Sequence, residues 1–527
     1  MARSSISLRE GILWAVLALA IGIAFAMAAI PTISPSSDLW DYAQEARQIT
    51  RGEGFTSLYT YPLHLGRYGP PFPVFWRMPL YAGLGAVLIR MGAELPSGFL
   101  LVAALAHAAL VALVFVFAAS LGSRLAGGVA AAAAIACPLL LDSYNPGMSQ
   151  VPAAALGLAA WIFLVRGRGL SSAVLGALSA AAAWYLRGEA ALMVPLWVLA
   201  ALLPASGGGG YRWGRATVFA IVCLLAALPW VLWVAQIHVG TSPIRGNPTL
   251  LYTPEYPGYS SARMLGAELP GVLGYIADHP RTFAVRYAKD LVGYGVDLLG
   301  GLGPVALGLA IAGILLSRAF ASNGPAARLE SPPVARGVIL LLCSAIAVQV
   351  GVLSALERSP RFLVPIVPMA CILIGLAARP IVCRLNPRRF LIALLAVLIA
   401  ERAAVVAFQR ADAGGRFPPL PRELSTTLEP LARNWSQGAL VLTDVPDWVA
   451  WRLDRPAILL PMWRDLPTLL GRRQVSAILL SDAARSRNVS DGDRDWVRVI
   501  DEGAPIPGFT GPVPLPGGSR LYLPFRR

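Results

Sequence analysis

Two aspartates, Asp38 and Asp41, stand three residues apart in the stretch "SSDLWDYAQEARQITRGEGF", which follows the first long apolar run of the chain. Carboxylates are among the side chains that accept protons in acid–base chemistry. At this spacing both would lie in or beside the first turn of one helix, on neighbouring positions. The simpler alternative is that they only satisfy free amide groups and the positive end of the helix dipole. The residues by themselves leave both roles open.

The surrounding stretch has the spacing of a short amphipathic helix. Its apolar side chains recur at intervals of three and four residues: Leu39, Tyr42, Ala43, Ala46 and Ile49. Such a helix has one apolar face and can lie along a membrane surface. Ser36, Ser37 or Asp38 can cap its start, and Gly52 and Gly54 end it.

The chain around this helix is too apolar for a soluble domain. Of its 527 residues 56% are hydrophobic and 14% are charged, and the mean hydropathy is +0.62. Its apolar runs approach the roughly 20 residues that a helix needs to cross a bilayer. They centre on residues 11–30, 96–121, 125–141, 149–165, 170–186, 190–204, 216–236, 300–317, 337–356, 362–378 and 390–408. The predicted fold class is an α-helical polytopic membrane protein with about eleven transmembrane helices.

The distribution of arginine predicts the topology. If the first run crosses from the cytoplasm outwards, most arginines fall in inner loops, as the positive-inside rule requires. These are Arg124, Arg166, Arg168, Arg212, Arg215, Arg318, Arg328, Arg336, Arg379, Arg384, Arg388 and Arg389. The short outer turns hold only Arg187, Arg358 and Arg361. The net charge of +15 is therefore interpreted as a topology signal plus a basic tail, and no nucleic-acid partner is expected.

Three longer pieces are expected outside the cytoplasm: residues 31–95, residues 237–299 and the tail after residue 409. Inside the tail, "GALVLTD", "RPAILLP", "QVSAILLSD" and "DWVRVIDEG" are predicted as short buried strands, while "PDWVAWRL" and "WRDLPTLL" have helical spacing. We therefore predict a transmembrane domain at 1–409 and a small extracytoplasmic α/β domain at 410–527, which would cover the outer cavity.

Several of these stretches resemble the glycosyltransferase C (GT-C) superfamily, whose members include protein O-mannosyltransferases and the lipid A aminoarabinose transferase. The first apolar helix followed by "DLWDYAQEARQITRGEGF" and "RMPLYAGLGAVLIR" is similar to the first external loop of that superfamily. "WYLRGEAALMVPLW", "LERSPRFLVPIVPMACILIG" and the tail's "VLTDVPDWVAWRLDRPAILLP" resemble later family motifs in the same order. The resemblance implies a bacterial inner-membrane enzyme that transfers a sugar from a polyprenyl-phosphate donor.

The resemblance also implies roles for the acidic stretch. Asp38 holds the position of the proposed catalytic carboxylate, four residues before a tyrosine that begins a Tyr-Ala-x-x-Ala-Arg pattern. It is the candidate general base of an inverting transfer, for which one carboxylate suffices. Asp41 would be an orienting residue, a ligand of a substrate hydroxyl, or only an acid at a helix start. Tyr42 is included among the candidate substrate-binding residues.

A departing phosphate needs a cationic site on the outer side. Arg187 and Arg361 are the best candidates, because guanidinium groups match phosphate oxygens in bidentate geometry. Arg358 and Lys289 are weaker candidates for binding the phosphate. Glu189 is also a candidate substrate-binding residue, although it could do no more than neutralise Arg187. Interfacial arginines often do no more than extend to the membrane surface, and this alternative stays open.

The expected partners are the polyprenyl-phosphate sugar, membrane lipids and an acceptor that could be lipid, glycan or protein. The five cysteines form no close pair and the histidines lack metal-ligand spacing, so no metal ligand is predicted, although a divalent metal stays open as a cofactor. The alternatives to a transferase are a transporter or flippase of a lipid-linked glycan and a non-catalytic envelope scaffold. A transporter more often shows repeat symmetry and ionisable groups at the bilayer midplane.

Overall fold

The computed structural model describes residues 8–29, 37–65, 69–142, 148–203, 212–237, 260–265, 272–321, 333–356, 358–382, 386–412, 422–435, 438–481 and 493–525. The chain divides into two compact units, each discontinuous in sequence. The helical unit comprises residues 1–33, 97–234 and 282–414. The mixed unit comprises residues 34–96, 235–281 and 415–527, so it joins the C-terminal tail to parts of both predicted outer segments. The linear domain boundary at 409/410 stays a prediction.

Helices account for most of the described chain. In order they are α1 (Leu8–Ala29), α2 (Ser37–Arg51), α3 (Pro79–Arg90), α4 (Leu95–Leu121), α5 (Arg124–Ala136), α6 (Pro138–Asp142), α7 (Gln150–Arg166), α8 (Gly169–Leu186), α9 (Val194–Leu202), α10 (Arg212–Ile237), α11 (Ser260–Arg263), α12 (Val272–Asp278), α13 (Pro280–Leu302), α14 (Pro304–Ala321), α15 (Pro333–Leu353), α16 (Val367–Val382), α17 (Pro387–Asp412), α18 (Arg422–Arg433), α19 (Pro446–Leu453), α20 (Leu466–Arg472) and α21 (Arg494–Glu502).

The strands are short and belong to the mixed unit. They are β1 (Thr56–Ser57), β2 (Tyr59–Thr60), β3 (Phe72–Pro73), β4 (Leu440–Thr443), β5 (Ala457–Leu459), β6 (Val475–Leu480), β7 (Val513–Pro514) and β8 (Arg520–Tyr522). β1 and β3 form a two-stranded antiparallel sheet. The other strands form a six-stranded sheet in the order β2-β5-β4-β6-β8-β7. In it β2, β5, β4 and β6 are parallel, and β8 and β7 are antiparallel additions.

Long apolar helices make this a multi-pass membrane protein. Among the described helices, four are long and apolar enough to cross a membrane alone: Ser97–Leu121, Gly169–Leu186, Arg212–Ile237 and Ala335–Leu353. A bent pair, Pro280–Leu302 with Pro304–Leu316, could form a fifth span. Each of the eleven predicted runs contains helix, but several of these helices are shorter than a full span. Proline accounts for one break, since Pro138 separates α5 from α6.

One helix of this group was not predicted from the sequence. α13 lies largely within the segment 237–299, which the sequence assigned to an outer loop. Its charged residues Arg286, Lys289, Asp290 and Asp297 lower the hydropathy of the segment and hide the helix from a search for apolar runs. The axis bends by 98° between α13 and α14, where Gly303 has a φ of +83°. That backbone conformation favours glycine.

Small residues let the helical unit pack tightly. α5 is buried along its whole alanine- and glycine-rich length from Ala126 to Ala136. It packs against α16 and α17. A side chain at Gly375 of α16 would collide with the carbonyl oxygen of Ala126. Small residues at such crossings allow close backbone approach, which is how transmembrane helices gain van der Waals contact.

The six-stranded sheet of the mixed unit is covered on both faces. Leu440 and Leu442 of β4 pack into one core with Trp496 of α21. Val441, between them, packs into the opposite core with Leu424 of α18 and other apolar residues of that face. This alternation follows from the two-residue period of a strand. A sheet with helices on both faces is the arrangement expected for parallel strands.

The tail differs from the prediction at several elements. The segment "DWVRVIDEG", predicted as a strand, forms α21. Its buried residues Trp496, Val499 and Ile500 lie at intervals of three and four, which is the helical period. The strand positions next to β6 are instead taken by β8 and, beyond it, β7, neither of which was predicted.

Candidate functional site

α2 carries the predicted carboxylates, and it is buried more completely than an amphipathic surface helix would be. The predicted apolar positions Leu39, Ala43 and Ala46 are fully buried. Asp38 and Asp41 are buried as well, with relative exposures of 5% and 2%. The sequence allowed α2 to lie along a membrane surface on its apolar face, but the structure buries its acidic face as well. The reason is that α2 packs against both α3 and α19, and α19 comes from the tail, more than 400 residues away.

Arg77 brings the two aspartates together. Its Nη2 donates to Oδ1 of Asp38, and its Nε and Nη2 donate to Oδ2 of Asp41 at 2.9 and 2.6 Å. The guanidinium carbon lies 5.5 Å from the centre of the Tyr42 ring. Sequence reasoning missed Arg77, although it stands just before the predicted helix in "RMPLYAGLGAVLIR". The available signal was its position: Arg77 is a cation at the start of the helix that follows the two acids in the same predicted outer segment.

A third carboxyl group, Glu45, also lies on the acidic face of α2. The three acids follow the spacing i, i+3, i+7, which places them along one face of the helix. Glu45 is fully buried, and neither of its carboxyl oxygens has a hydrogen-bond partner. No sequence argument singled it out, because in the predicted surface helix Glu45 would have been exposed.

Burial determines the titration of these groups. Burial raises the pKa of Asp41 to about 6, against the opposing effect of Arg77 and with a further increase from Asp38. Burial also raises the pKa of Glu45 well above its usual range, and Asp41 adds to that rise. The charges of Asp38 and Asp41 raise the pKa of Arg77 despite its desolvation. The site thus holds the cation Arg77 beside two carboxyl groups, Asp41 and Glu45, whose pKa values are raised.

Aromatic rings line the same region. The Tyr42 and Tyr81 rings meet edge to face with centroids 4.8 Å apart. The His64 ring stacks on Trp76 at 5.6 Å. Burial raises the pKa of Tyr61 well above its usual value, and the charge of Asp41 raises it further. Tyr42 and Tyr61 thus lie close to the charged groups of the site.

The tail holds α2 from the other side. Arg47 donates from Nη1 to the carbonyl of Trp451 at 3.0 Å and from Nη2 to that of Ala450 at 2.6 Å. These are the last carbonyls of α19, where a cation is favourable. Asp454, which ends α19 in a left-handed conformation, pairs with both Arg47 and Arg51. The position of the candidate base therefore depends on residues of the tail.

The helical unit brings two of the predicted phosphate ligands to one ring. The guanidinium groups of Arg187 and Arg361 lie 5.8 and 5.4 Å from the centre of Phe362. Arg187 also forms an ion pair with Glu189. Arg187 lies between α8 and the short helix Gly188–Met193, and Arg361 lies in the short helix Pro360–Leu363 before α16. These two cations are neighbours within the unit, as a shared ligand would require.

The weaker candidates lie elsewhere in the helical unit. Arg358 makes a two-point contact with Asp297 of α13, at 2.8 and 2.6 Å. Such fork geometry is the strong form of this ion pair, so it competes with any phosphate. Lys289 is exposed on α13. The cations that lie over the Phe362 ring in the described part of the chain are Arg187 and Arg361.

A metal site needs several His, Cys, Asp or Glu side chains close together. Within the described ranges, no three His, Cys, Asp or Glu side chains are placed to share a metal ion. The two aspartates are instead held by a guanidinium group. The arrangement fits an ion-paired carboxylate site, and the mechanism proposed below uses protein groups alone.

No protein-family model and no curated protein matches the sequence of the chain. Comparison of the folds gives clear matches. ArnT from Cupriavidus metallidurans in the apo state is 14% identical, with a TM-score of 0.56 and 98% of each chain covered. The same protein bound to undecaprenyl phosphate gives 13% identity, a TM-score of 0.54 and 97% coverage of each chain.

Two further enzymes share the architecture. The apo oligosaccharyltransferase of Archaeoglobus fulgidus is 12% identical with a TM-score of 0.56, over 91% of this chain and 70% of that one. The arabinofuranosyltransferase AftD from Mycobacteria is 18% identical with a TM-score of 0.54, over 99% of this chain and 40% of that one. These matches show that the chain has the fold of these three enzymes, which is the fold that its resemblance to the GT-C superfamily implied.

Proposed function

We propose that the protein is a membrane glycosyltransferase that takes a sugar from a polyprenyl-phosphate donor and transfers it to an acceptor outside the cytoplasm. The acceptor is a lipid, a glycan or a protein, and the sugar is a hexose or a pentose. The observation that carries the proposal is the pair of buried aspartates held by Arg77 on α2, in a chain whose fold is shared with ArnT bound to undecaprenyl phosphate.

Asp38 is the proposed general base. The acceptor hydroxyl oxygen attacks the anomeric carbon of the sugar while the bond from that carbon to the phosphate oxygen breaks. The bonding electron pair leaves with the polyprenyl phosphate, and the hydroxyl proton passes to Asp38. Attack from the side opposite the leaving group inverts the anomeric centre, and no covalent sugar–enzyme intermediate is needed.

The neighbouring groups orient this base. Arg77 fixes the direction of the Asp38 carboxylate, because it donates to Asp38 and Asp41 at once. Asp41 is proposed to orient Arg77 or to accept a substrate hydroxyl, and Tyr42 to pack beneath the guanidinium group. A buried site of this kind makes each interaction stronger than it would be in water.

For the donor phosphate we propose Arg187 and Arg361, supported by their shared position at Phe362. Glu189 then keeps Arg187 in place. Arg358 and Lys289 are retained as secondary candidates. The topology that goes with this function is eleven spans in a bacterial inner membrane, with a cytoplasmic N-terminus and with residues 410–527 as a domain outside the cytoplasm.

The proposal is tested by transfer of radiolabelled sugar from synthetic polyprenyl-phosphate donors. Purified protein in nanodiscs is given an extract of envelope acceptors, and wild type is compared with Asp38→Asn. Loss of a general base is expected to lower the rate by at least about 100-fold. Glu53→Gln is the matched control, since Glu53 is an exposed acid just beyond the end of α2, and it should transfer at the wild-type rate.

Other outcomes discriminate among the alternatives. Equal transfer by wild type and Asp38→Asn keeps the transferase and assigns the base to another group, with Asp41 first. No product from any donor, together with movement of lipid-linked glycan across proteoliposome membranes, replaces the transferase by a flippase. No product and no movement favours a scaffold.

A further inference from the structure

The acidic face of α2 carries more carboxyl groups than the nearby cation can compensate. Arg77 contacts Asp38 and Asp41 directly. Glu45, one turn beyond Asp41, shares no such contact, and both of its oxygens are buried without a hydrogen-bond partner. If all three were ionised beside Arg77, two negative charges would remain uncompensated on one buried helix face.

Such a charge state is physically unfavourable. An ionised carboxylate that is removed from water without a partner costs so much free energy that the group takes up a proton instead. Asp38 and Asp41 escape this because each accepts hydrogen bonds from the guanidinium group. Glu45 has no such stabilisation, so it is the member of the trio that holds the proton.

The surroundings of Glu45 supply little compensation. On its own helix it is close to Asp41 and Asp38, and Arg77 is the cation whose charge opposes theirs. Of the elements packed against α2, α3 contributes the buried phenol of Tyr81 and α19 the buried carboxylate of Asp447. The other charged groups at this end of the tail, Arg452 and Asp454, contact Trp40 and the pair Arg47 and Arg51 instead. β1, with Thr56 and Ser57, contributes no ionisable group. The neighbours therefore disfavour a charge on Glu45.

We propose that Glu45 is a proton-holding carboxylic acid that sets the net charge of this face, so that an anionic lipid phosphate is bound well only while Glu45 is neutral. The second half of this inference rests on the proposed function. Glu45 is a positioning residue. While it is protonated, it adds no negative charge beside Asp38, Asp41 and Arg77. Its ionisation would add a negative charge on the helix face that carries Asp38, which the anionic donor must approach for transfer.

The first test observes the proton itself. Infrared spectra of the full-length protein in nanodiscs are recorded as the pH is raised, and the carbonyl band of a protonated carboxyl group is followed. Above pH 7, where Asp41 with its pKa of about 6 is ionised, the band should persist in wild type until the buffer becomes alkaline, and it should be absent from Glu45→Gln. Glu53→Gln should retain it. Absence of the band from wild type at neutral pH, or its survival in Glu45→Gln, overturns the inference.

The second test measures binding of undecaprenyl phosphate as the probe. For any phosphate bound about 10 Å from an added charge, at an effective dielectric constant near 20, the Coulomb repulsion corresponds to a loss of affinity on the order of tenfold. Wild type should lose about that much as Glu45 ionises, whereas Glu45→Gln should bind with nearly constant affinity. A parallel loss in both proteins overturns the role of Glu45 in binding.

The two tests separate this inference from the proposed function. If the infrared band behaves as expected but undecaprenyl phosphate binds at no pH, the donor class fails, and with it the effect on binding, while the proton on Glu45 stands.

A stability measurement adds a readout that needs no ligand. Because the pKa of Glu45 is higher in the folded chain than in the unfolded chain, the folded state binds the extra proton between those two values. Stability therefore falls as the pH rises through that window. Glu45→Gln removes this loss and should unfold at a higher temperature than wild type above neutral pH. A lower unfolding temperature for Glu45→Gln at every pH contradicts the inference.

Discussion

At the scale of single residues, the guanidinium group of Arg77 compensates two buried carboxylates. It donates to Asp38 and Asp41 from a segment that precedes α3, and its side chain is 21% exposed. The two acids could be identified from the sequence because they lie in "DLWDYAQEARQITRGEGF", the stretch that resembles the first external loop of the GT-C superfamily. Arg77 could not be paired with them from spacing, because the pair spans 36 residues along the chain.

Removing this cation should destabilise the mixed unit. Arg77→Gln leaves two buried carboxylates without a counter-charge, which is expected to lower the free energy of unfolding by about 3 kcal/mol. The triple variant Asp38→Asn, Asp41→Asn, Arg77→Gln contains no uncompensated charge and should recover most of that loss. Chemical denaturation in detergent, followed by tryptophan fluorescence, measures both.

The control for this prediction is Arg90→Gln, at the exposed end of α3. Such a surface change should alter stability by less than about 0.5 kcal/mol. Equal losses in the single and the triple variant would show that Arg77 stabilises the unit by packing and not by charge compensation.

At the scale of elements, the short helix α11 is fastened to the end of strand β5. Arg263 donates from Nε to the carbonyl of Leu460 at 2.9 Å and from Nη2 to that of Pro461 at 3.1 Å. Its Nη2 also contacts Asp493 at 3.3 Å, and the residue is only 1% exposed. The carboxylate of Asp493 further accepts from the amide of Trp463 at 2.8 Å. One arginine thus joins a predicted outer segment to two parts of the tail.

Arg263→Met should cost about 3–5 kcal/mol of stability, because it strands the buried carboxylate of Asp493 and leaves two carbonyls without their donor. Hydrogen exchange of peptides from β5 and α21 is expected to accelerate along with the loss. Arg494→Met, at the exposed start of α21 next to Asp493, serves as the control and should leave exchange unchanged. If both variants exchange alike, Arg263 does not fasten α11 to the sheet.

At the scale of the whole molecule, strands from the tail and from the first predicted outer segment form one sheet. β2 pairs in parallel with β5, and Arg47 of α2 binds the last carbonyls of α19. The tail is therefore a structural support of the helix that carries Asp38, whatever else it contacts.

Truncation after residue 412 should leave the chain in the membrane but abolish sugar transfer. The physical reason is that α2 loses α19 and the edge strand β2 loses β5. Membrane fractionation checks insertion, and hydrogen exchange of peptides from α2 checks the loss of protection. A protease site placed between α17 and α18 provides the control, because the cut chain keeps the tail and should keep both protection and transfer. A truncated chain that still transfers sugar would contradict the support role.

The sequence by itself determined the features that depend on local patterns. Apolar runs specify where helices form in the helical unit, because each run must satisfy its own backbone within lipid. The spacing of apolar residues specified α2, and short apolar runs specified β4, β5 and β6. The acids Asp38 and Asp41 could be recognised because they lie within one of those local patterns.

Only the tertiary structure decided which distant segments meet. It placed β2 in the sheet of the tail and paired Arg77 with two acids. It also buried Glu45, because α3 and α19 pack against α2. It also made a helix of "DWVRVIDEG", whose spacing fits a buried helix once a sheet lies beneath it. The physical reason is that burial and charge compensation depend on neighbours in space, and these neighbours lie tens to hundreds of residues apart in the chain.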